Sequence, residues 1–191
     1  MRIGVFGGSF DPVHNAHLIV AQLAREQLQL DRVLLTVAAT QPLKEGQHAV
    51  AAGDSFRMVE LAVAGIAGLV ADGRELRRPP PSYTVDTLRE LAAEHPGAEL
   101  VLIMGSDVAT RFGEWRAPDE IRAMAQVAVC RRMGQRVADQ ESVVGGGYID
   151  VPAMEISSTA VRARAAARLP LAGWVPPAVA DYIVASQLYV E

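Results

Sequence analysis

Two histidines three residues apart, His14 and His17, follow the stretch Gly7-Gly8-Ser9-Phe10-Asp11-Pro12 that closes the first apolar run of the chain. Glycines after a strand let backbone amides approach a ligand closely, and a helix beginning there adds unpaired N–H groups and the positive end of its dipole. Such a turn suits phosphate. With a helix starting near His14, both imidazoles project from one side of its first turn, where they can stabilise charge building on a pentavalent phosphorus. Zinc is the poorer occupant, because no cysteine or further histidine joins the pair at ligand spacing. Near the other end, Ile156-Ser157-Ser158-Thr159-Ala160-Val161-Arg162 sets hydroxyls at a helix start and an arginine on its first turn. That string is either an N-cap followed by a solvated arginine or a second anion site. Between them lie Ser82-Tyr83-Thr84-Val85-Asp86-Thr87-Leu88 and Gly105-Ser106-Asp107 with Trp115-Arg116 beyond. Thr84 and Thr87 offer a cap and a hydroxyl, Asp107 an acceptor for sugar hydroxyls, and Trp115 either a flat stacking face or a core aromatic.

These residues need a scaffold that brings distant loops together. Short apolar runs alternate with amphipathic stretches: strands over Arg2–Phe6, Arg32–Val37, Gly68–Leu76, Glu99–Met104, Gln126–Arg131 and Tyr148–Val151. Helices are expected over His17–Leu28, Ser55–Ala67, Thr84–Glu94, Ala117–Met124, Ser158–Ala167 and Pro177–Ser186. That alternation predicts a Rossmann-like open parallel sheet with helices on both faces. Ligands on such sheets bind beyond the carboxyl ends of the strands, so the loops after Phe6, Val37, Met104 and Val151 should line one crevice. Arg77-Arg78-Pro79-Pro80-Pro81 cannot be helical and reads as a stiff connector, while Gln135–Gly147 reads as a mobile surface loop.

The 191 residues, half of them apolar, fit one domain over 1–191. A net charge of −4 argues against a nucleic acid or an anionic membrane as the main partner. No apolar run reaches the roughly 18 residues that span a bilayer, and no signal peptide precedes the first strand, so a cytoplasmic protein is expected. The single cysteine, Cys130, lies in an apolar run and is expected to be a buried structural thiol. Oligomeric state is left open, with a homo-oligomer among the possibilities.

The run from Gly8 to His17 resembles the G-x-F-D-P-x-H-x-G-H signature of the nucleotidyltransferase superfamily, departing at Ala16, where the family carries glycine. The string from Ile156 to Arg162 resembles the I-S-S-T-x-x-R motif that closes the family's active site. The Ser82–Leu88 and Gly105–Asp107 elements with Trp115 resemble the S-Y-T-x-D-T-L and G-x-D…W elements of bacterial nicotinate mononucleotide adenylyltransferases. Thr40-Gln41-Pro42-Leu43-Lys44 keeps the lysine of the family's P-P-H-K element with Leu43 in place of its histidine, and Ser55 stands where arginine is common.

The resemblance implies transfer of AMP from ATP to nicotinate mononucleotide, with Mg²⁺ bound through the ATP phosphates and no dedicated protein metal site. His14, His17, Lys44 and Arg162 would serve the transfer. Gly7, Gly8, Ser9, Phe10, His14, His17, Gly105, Asp107, Ile156, Ser157, Ser158, Thr159 and Arg162 would hold ATP. Lys44, Tyr83, Thr84, Thr87, Asp107, Trp115 and Arg116 would hold the acceptor, with Trp115 stacked on the pyridine and the amides around Thr84 and Arg116 receiving its carboxylate. Two alternatives stay open: the same core with another acceptor phosphate or base, such as pantetheine phosphate, the nicotinamide nucleotide, or a cytidylyl or guanylyl transfer, and a nucleotide-binding module without turnover.

Overall fold

Along the second strand Val33, Leu35 and Val37 alternate with Leu34 and Thr36, and all five are buried, so both faces of that strand must be covered. The computed structural model, which describes residues 1–39, 49–132 and 147–190, covers them with helices. Six strands form the sheet: β1 (Arg2–Gly8), β2 (Arg32–Val37), β3 (Leu69–Asp72), β4 (Glu99–Gly105), β5 (Ala125–Arg132) and β6 (Gly147–Val151). Their order is β3-β2-β1-β4-β5-β6 and every pairing is parallel. This is the Rossmann-like arrangement that the alternation predicts.

One face carries α1 (Asn15–Gln27), α2 (Ala52–Val63), α6 (Ser158–Ala166) and α7 (Pro177–Ala185). Leu18, Ala21, Met58, Val59, Val161 and Val179 from these helices pack with Val33, Leu35, Val101 and Ile103 of the sheet. On the other face α3 (Thr84–Glu94), the short α4 (Ser106–Ala109) and α5 (Pro118–Met124) bury Val85, Leu88, Leu91 and Ile121 against Leu34, Leu100, Leu102 and Met104. The strand order reverses between β1 and β4, which pair with Phe6 opposite Ile103. A crevice opens at the carboxyl ends of the strands flanking such a reversal, here at Gly8 and Gly105.

The expected element boundaries shift in three places. The strand expected to run to Leu76 stops at Asp72, because the Asp72 carboxylate accepts from the Arg74 backbone N–H at 3.2 Å and from its Nε at 2.7 Å. Those bonds turn the chain into a 3-10 segment over Arg74–Arg77. The helix expected over Ser55–Ala67 begins at Ala52 and ends at Val63; Gly65 and Gly68 follow it with φ of +79° and +82°, left-handed geometry that no helix continues. The first helix starts at Asn15 with His14 as its N-cap, ahead of the expected His17. Cys130 lies buried in β5, and burial pushes its thiol up to about 12, as suits an inert core residue. Among the described residues no helix is long and apolar enough to cross a membrane.

Candidate active site

The turn from β1 into α1 is shaped by Phe10, a buried residue with φ of +47° whose ring stands edge-on to Phe6 at 5.8 Å and to His17 at 5.0 Å. A Cβ on Gly8 would come within 3.0 Å of that ring, so this glycine is needed for Phe10 to fold back. Gly7 differs: a Cβ there would meet nothing within 4 Å among the described residues. Of the two glycines, Gly7 suits ligand approach and Gly8 serves packing.

His14 and His17 stack with ring centroids 3.6 Å apart and planes inclined by 18°. The His14 backbone N–H donates to His17 Nδ1 at 3.2 Å. Because Nδ1 accepts, the neutral His17 ring carries its proton on Nε2 and offers that N–H as a donor. Burial, and then the neighbouring His14, holds the His17 pKa well below the usual histidine value. Burial likewise lowers His14 to about 4. Both rings are therefore neutral at pH 7. His14 Nδ1 is buried and lacks a hydrogen-bond partner among the described residues, a cost that an incoming polar ligand would relieve.

That neutrality has a measurable consequence. A histidine whose folded pKa is depressed contributes stability above its unfolded value near 6.5, and that stability is lost as pH falls through 4. Acidification from pH 7 to pH 5 should therefore cost the wild type about 2 kcal/mol through His14 alone. Urea unfolding of wild type and His14→Asn at the two pH values should show the variant losing less; parallel losses would place the acid sensitivity elsewhere.

The second motif closes onto this turn from 146 to 151 residues further along the chain. Ser157 caps α6, its side chain accepting from the Ala160 N–H at 3.2 Å. Ser158 Oγ donates to the Pro12 carbonyl at 2.9 Å, and Arg162 Nη1 donates to the Asp11 carbonyl at 2.7 Å. Arg162 Nη2 also reaches Thr159 Oγ1 at 3.3 Å. On the other side of the crevice, a Cβ on Gly105 would sit 2.6 Å from Asp107 Oδ1, so the glycine leaves room for that carboxylate to fold over the end of β4.

The cytidylyltransferase-like family model matches residues 5–164. A probable nicotinate-nucleotide adenylyltransferase of Salinibacter ruber is 41% identical over 99% of this chain and 98% of its own length. Its counterpart in Chlorobium luteolum is 43% identical, with both chains fully covered. The chain belongs to the cytidylyltransferase-like family, in its nicotinate-nucleotide adenylyltransferase branch. Among solved structures of the same fold, nicotinic acid mononucleotide adenylyltransferase of Plasmodium falciparum in complex with NaAD aligns with a TM-score of 0.76 at 18% identity, covering 98% of this chain and 97% of that one.

The branch-specific residues gather at the start of α3 and in the segment after α4. Tyr83 is the N-cap of α3 and Thr84 its first residue, and among the described residues no side-chain hydrogen bond caps the helix or takes its first N–H groups. The Arg116 guanidinium lies over the Tyr83 ring at 4.6 Å and comes within 4.0 Å of Asp86. Trp115 is half-buried with its ring tilted against Phe112 at 5.4 Å. Thr87 does not join this group. It is 1% exposed and its hydroxyl is engaged by Glu75 and Arg78, so it cannot offer the acceptor a hydroxyl. Arg164, two residues beyond Arg162, donates twice to the Pro170 carbonyl and lies over the Trp174 ring at 4.8 Å. Ala16 and Ser55 are both buried, and Ser55 Oγ has no partner among the described residues. Leu43, Lys44 and most of the Gln135–Gly147 loop fall outside the described residues.

Asp11 and Tyr189 escape a reading by motif. Asp11 is buried, accepting from Tyr189 Oη at 2.7 Å and from the Ala49 N–H at 2.7 Å. Burial and that carboxylate push the Tyr189 pKa far up. The far end of the chain thus clamps the turn from β1 into α1. Asn15 adds to the clamp, its backbone N–H donating to the Trp174 carbonyl and its side chain to that of Gly173, each at 2.9 Å. The aspartate stands in the opening motif, but nothing in the sequence points to a tyrosine 178 residues away as its partner.

Proposed function

We propose that this protein transfers AMP from ATP to the phosphate of nicotinate mononucleotide, giving nicotinate adenine dinucleotide and pyrophosphate. The observation that carries this is the junction of the two phosphate motifs, Arg162 and Ser158 bonded to the carbonyls of Asp11 and Pro12 beside the stacked histidines. Full-length similarity to adenylyltransferases of one substrate class directs it to this acceptor.

The acceptor phosphate is ionised at neutral pH and attacks the α-phosphorus of ATP directly, the bond to the β-phosphate oxygen breaking as pyrophosphate leaves. No general base or covalent protein intermediate is required, and catalysis rests on positioning and charge stabilisation. His14 and His17 serve the charge that builds at the α-phosphorus, Arg162 the leaving phosphates, and Lys44 completes the set as a point charge. Gly7, Ser9, Gly105 and Asp107 line the ATP side, with Ile156, Ser157, Ser158 and Thr159 at the α6 start. Tyr83, Thr84, Trp115 and Arg116 line the acceptor side. Mg²⁺, if bound with ATP, would supply further charge neutralisation beside Lys44 and Arg162. Mg²⁺ keeps much of its hydration shell, so it would meet the protein mainly through the ATP phosphates and water. The setting is one domain over 1–191 acting on small molecules in the cytoplasm, without nucleic acid or membrane partners.

The acceptor assignment is tested at Trp115. Trp115→Ala should raise KM for nicotinate mononucleotide about tenfold or more and KM for ATP little, since stacking is lost on one side only. The wild type should also prefer the acid to the amide, because N–H donors pair with a carboxylate oxygen and repel an NH₂ group. Adenylylation of nicotinate mononucleotide no faster than of unrelated phosphates, with both KM values moving together in the variant, would assign the site to another acceptor.

A further inference from the structure

Behind the acceptor side of the crevice lies a buried polar cluster that substrate contacts do not explain. Glu75, in the 3-10 segment after β3, is 7% exposed, and Thr87, on the first turn and a half of α3, is 1% exposed. The Thr87 hydroxyl donates to Glu75 Oε1 at 2.6 Å and accepts from Arg78 Nη2 at 2.7 Å. Arg78 Nη1 continues to Glu90 Oε1 at 2.8 Å, one helical turn further along α3. Burial raises the Glu75 pKa, and Thr87, Arg78 and Ser82 draw it back. Ser82, 8% exposed, is tied in turn to the end of β2, its Oγ accepting from the Ala39 N–H at 3.1 Å.

These bonds do what apolar packing cannot. Val85, Leu88 and Leu91 fix how close α3 lies to the sheet, but dispersion contacts are weakly directional and tolerate small rotations of a helix about its axis. Hydrogen bonds lose strength steeply with angle, and a buried carboxylate left unpaired is costly, so the Glu75–Thr87–Arg78 contacts select one rotation and one axial position. The first turn of α3, with Tyr83 and Thr84, moves with that choice.

We propose that Glu75, acting through Thr87 with Arg78 as its counter-ion, is a positioning residue for acceptor recognition. It holds the start of α3 so that the N–H groups of Thr84 and Val85 face the carboxylate of the acceptor, and so sets the preference for acid over amide. This rests on the acceptor assignment made above. It also accounts for Thr87, a buried residue that has no place at the crevice surface.

The test is steady-state kinetics of Glu75→Gln, Thr87→Val and the double variant against ATP, nicotinate mononucleotide and its amide. Each single variant should raise KM for nicotinate mononucleotide about tenfold, leave KM for ATP within about twofold, and lower the acid-over-amide ratio in step. The double variant should be no worse than Thr87→Val alone, because Glu75→Gln weakens, by loss of charge, the same contact that Thr87→Val removes. If Glu75→Gln does not fold, the nearly isosteric Thr87→Val carries the same expectation. Equal changes in both KM values, a fall in kcat alone, or additive single effects would overturn the positioning role. A wild type inactive on nicotinate mononucleotide defeats the acceptor assignment and this role together, whereas an active wild type with unaltered variants defeats this role alone.

Discussion

His17→Ala is expected to lower kcat about 100-fold or more while the Kd of ATP changes little. His17 Nδ1 is occupied by the His14 backbone N–H, so its remaining donor is Nε2–H, held by stacking on His14 at 3.6 Å and by the edge of Phe10 at 5.0 Å. A donor fixed in this way pays no reorganisation as the phosphorus passes through its pentavalent state. In the ground state, the other phosphate contacts hold the nucleotide without it. Single-turnover rates at saturating ATP, with nucleotide affinity measured separately, distinguish the two effects. Unaltered kcat would remove His17 from the chemical step, and an equal loss in affinity would make it a binding residue.

Arg162→Lys should remain impaired by at least about tenfold in kcat/KM for ATP despite keeping the charge. The guanidinium uses one nitrogen on the Asp11 carbonyl at 2.7 Å and another on Thr159 Oγ1 at 3.3 Å, which turns the plane of the fork and joins α6 to the phosphate turn. An ammonium can replace one of those bonds and cannot hold the plane. Loss confined to ATP kinetics, with KM for the acceptor unaltered, is the expected pattern. Full activity of Arg162→Lys would show a solvated helix residue whose charge alone suffices.

The order of strands and helices was legible because burial on both faces of a parallel sheet leaves continuous apolar runs, and amphipathic helices leave a 3.6-residue period. The ends of elements were less so. β3 stops at Asp72 because that residue's side chain takes the backbone N–H two residues on, a contact to which the pattern of Gly68–Leu76 gives no clue. Thr87 shows the same limit at the site. In the string it is one more hydroxyl at a helix start, yet the rotation of α3 turns it inward onto Glu75.

What the sequence by itself determined is the chemistry on offer: the glycine turn with two histidines, the hydroxyl-and-arginine helix start, and the aromatic and threonine elements around the start of α3. Those follow from residue type and short spacing, since the groups on one turn or one helix start are neighbours in any fold. Only the tertiary structure decided which of them meet and in what state. The Arg162–Asp11 and Tyr189–Asp11 contacts span most of the chain, and the neutral histidine pair depends on burial supplied by the surrounding fold. Hydrogen-bond partners and pKa values are set by three-dimensional surroundings, where a few tenths of an ångström or one helix rotation changes the outcome, and no local pattern of residues encodes them.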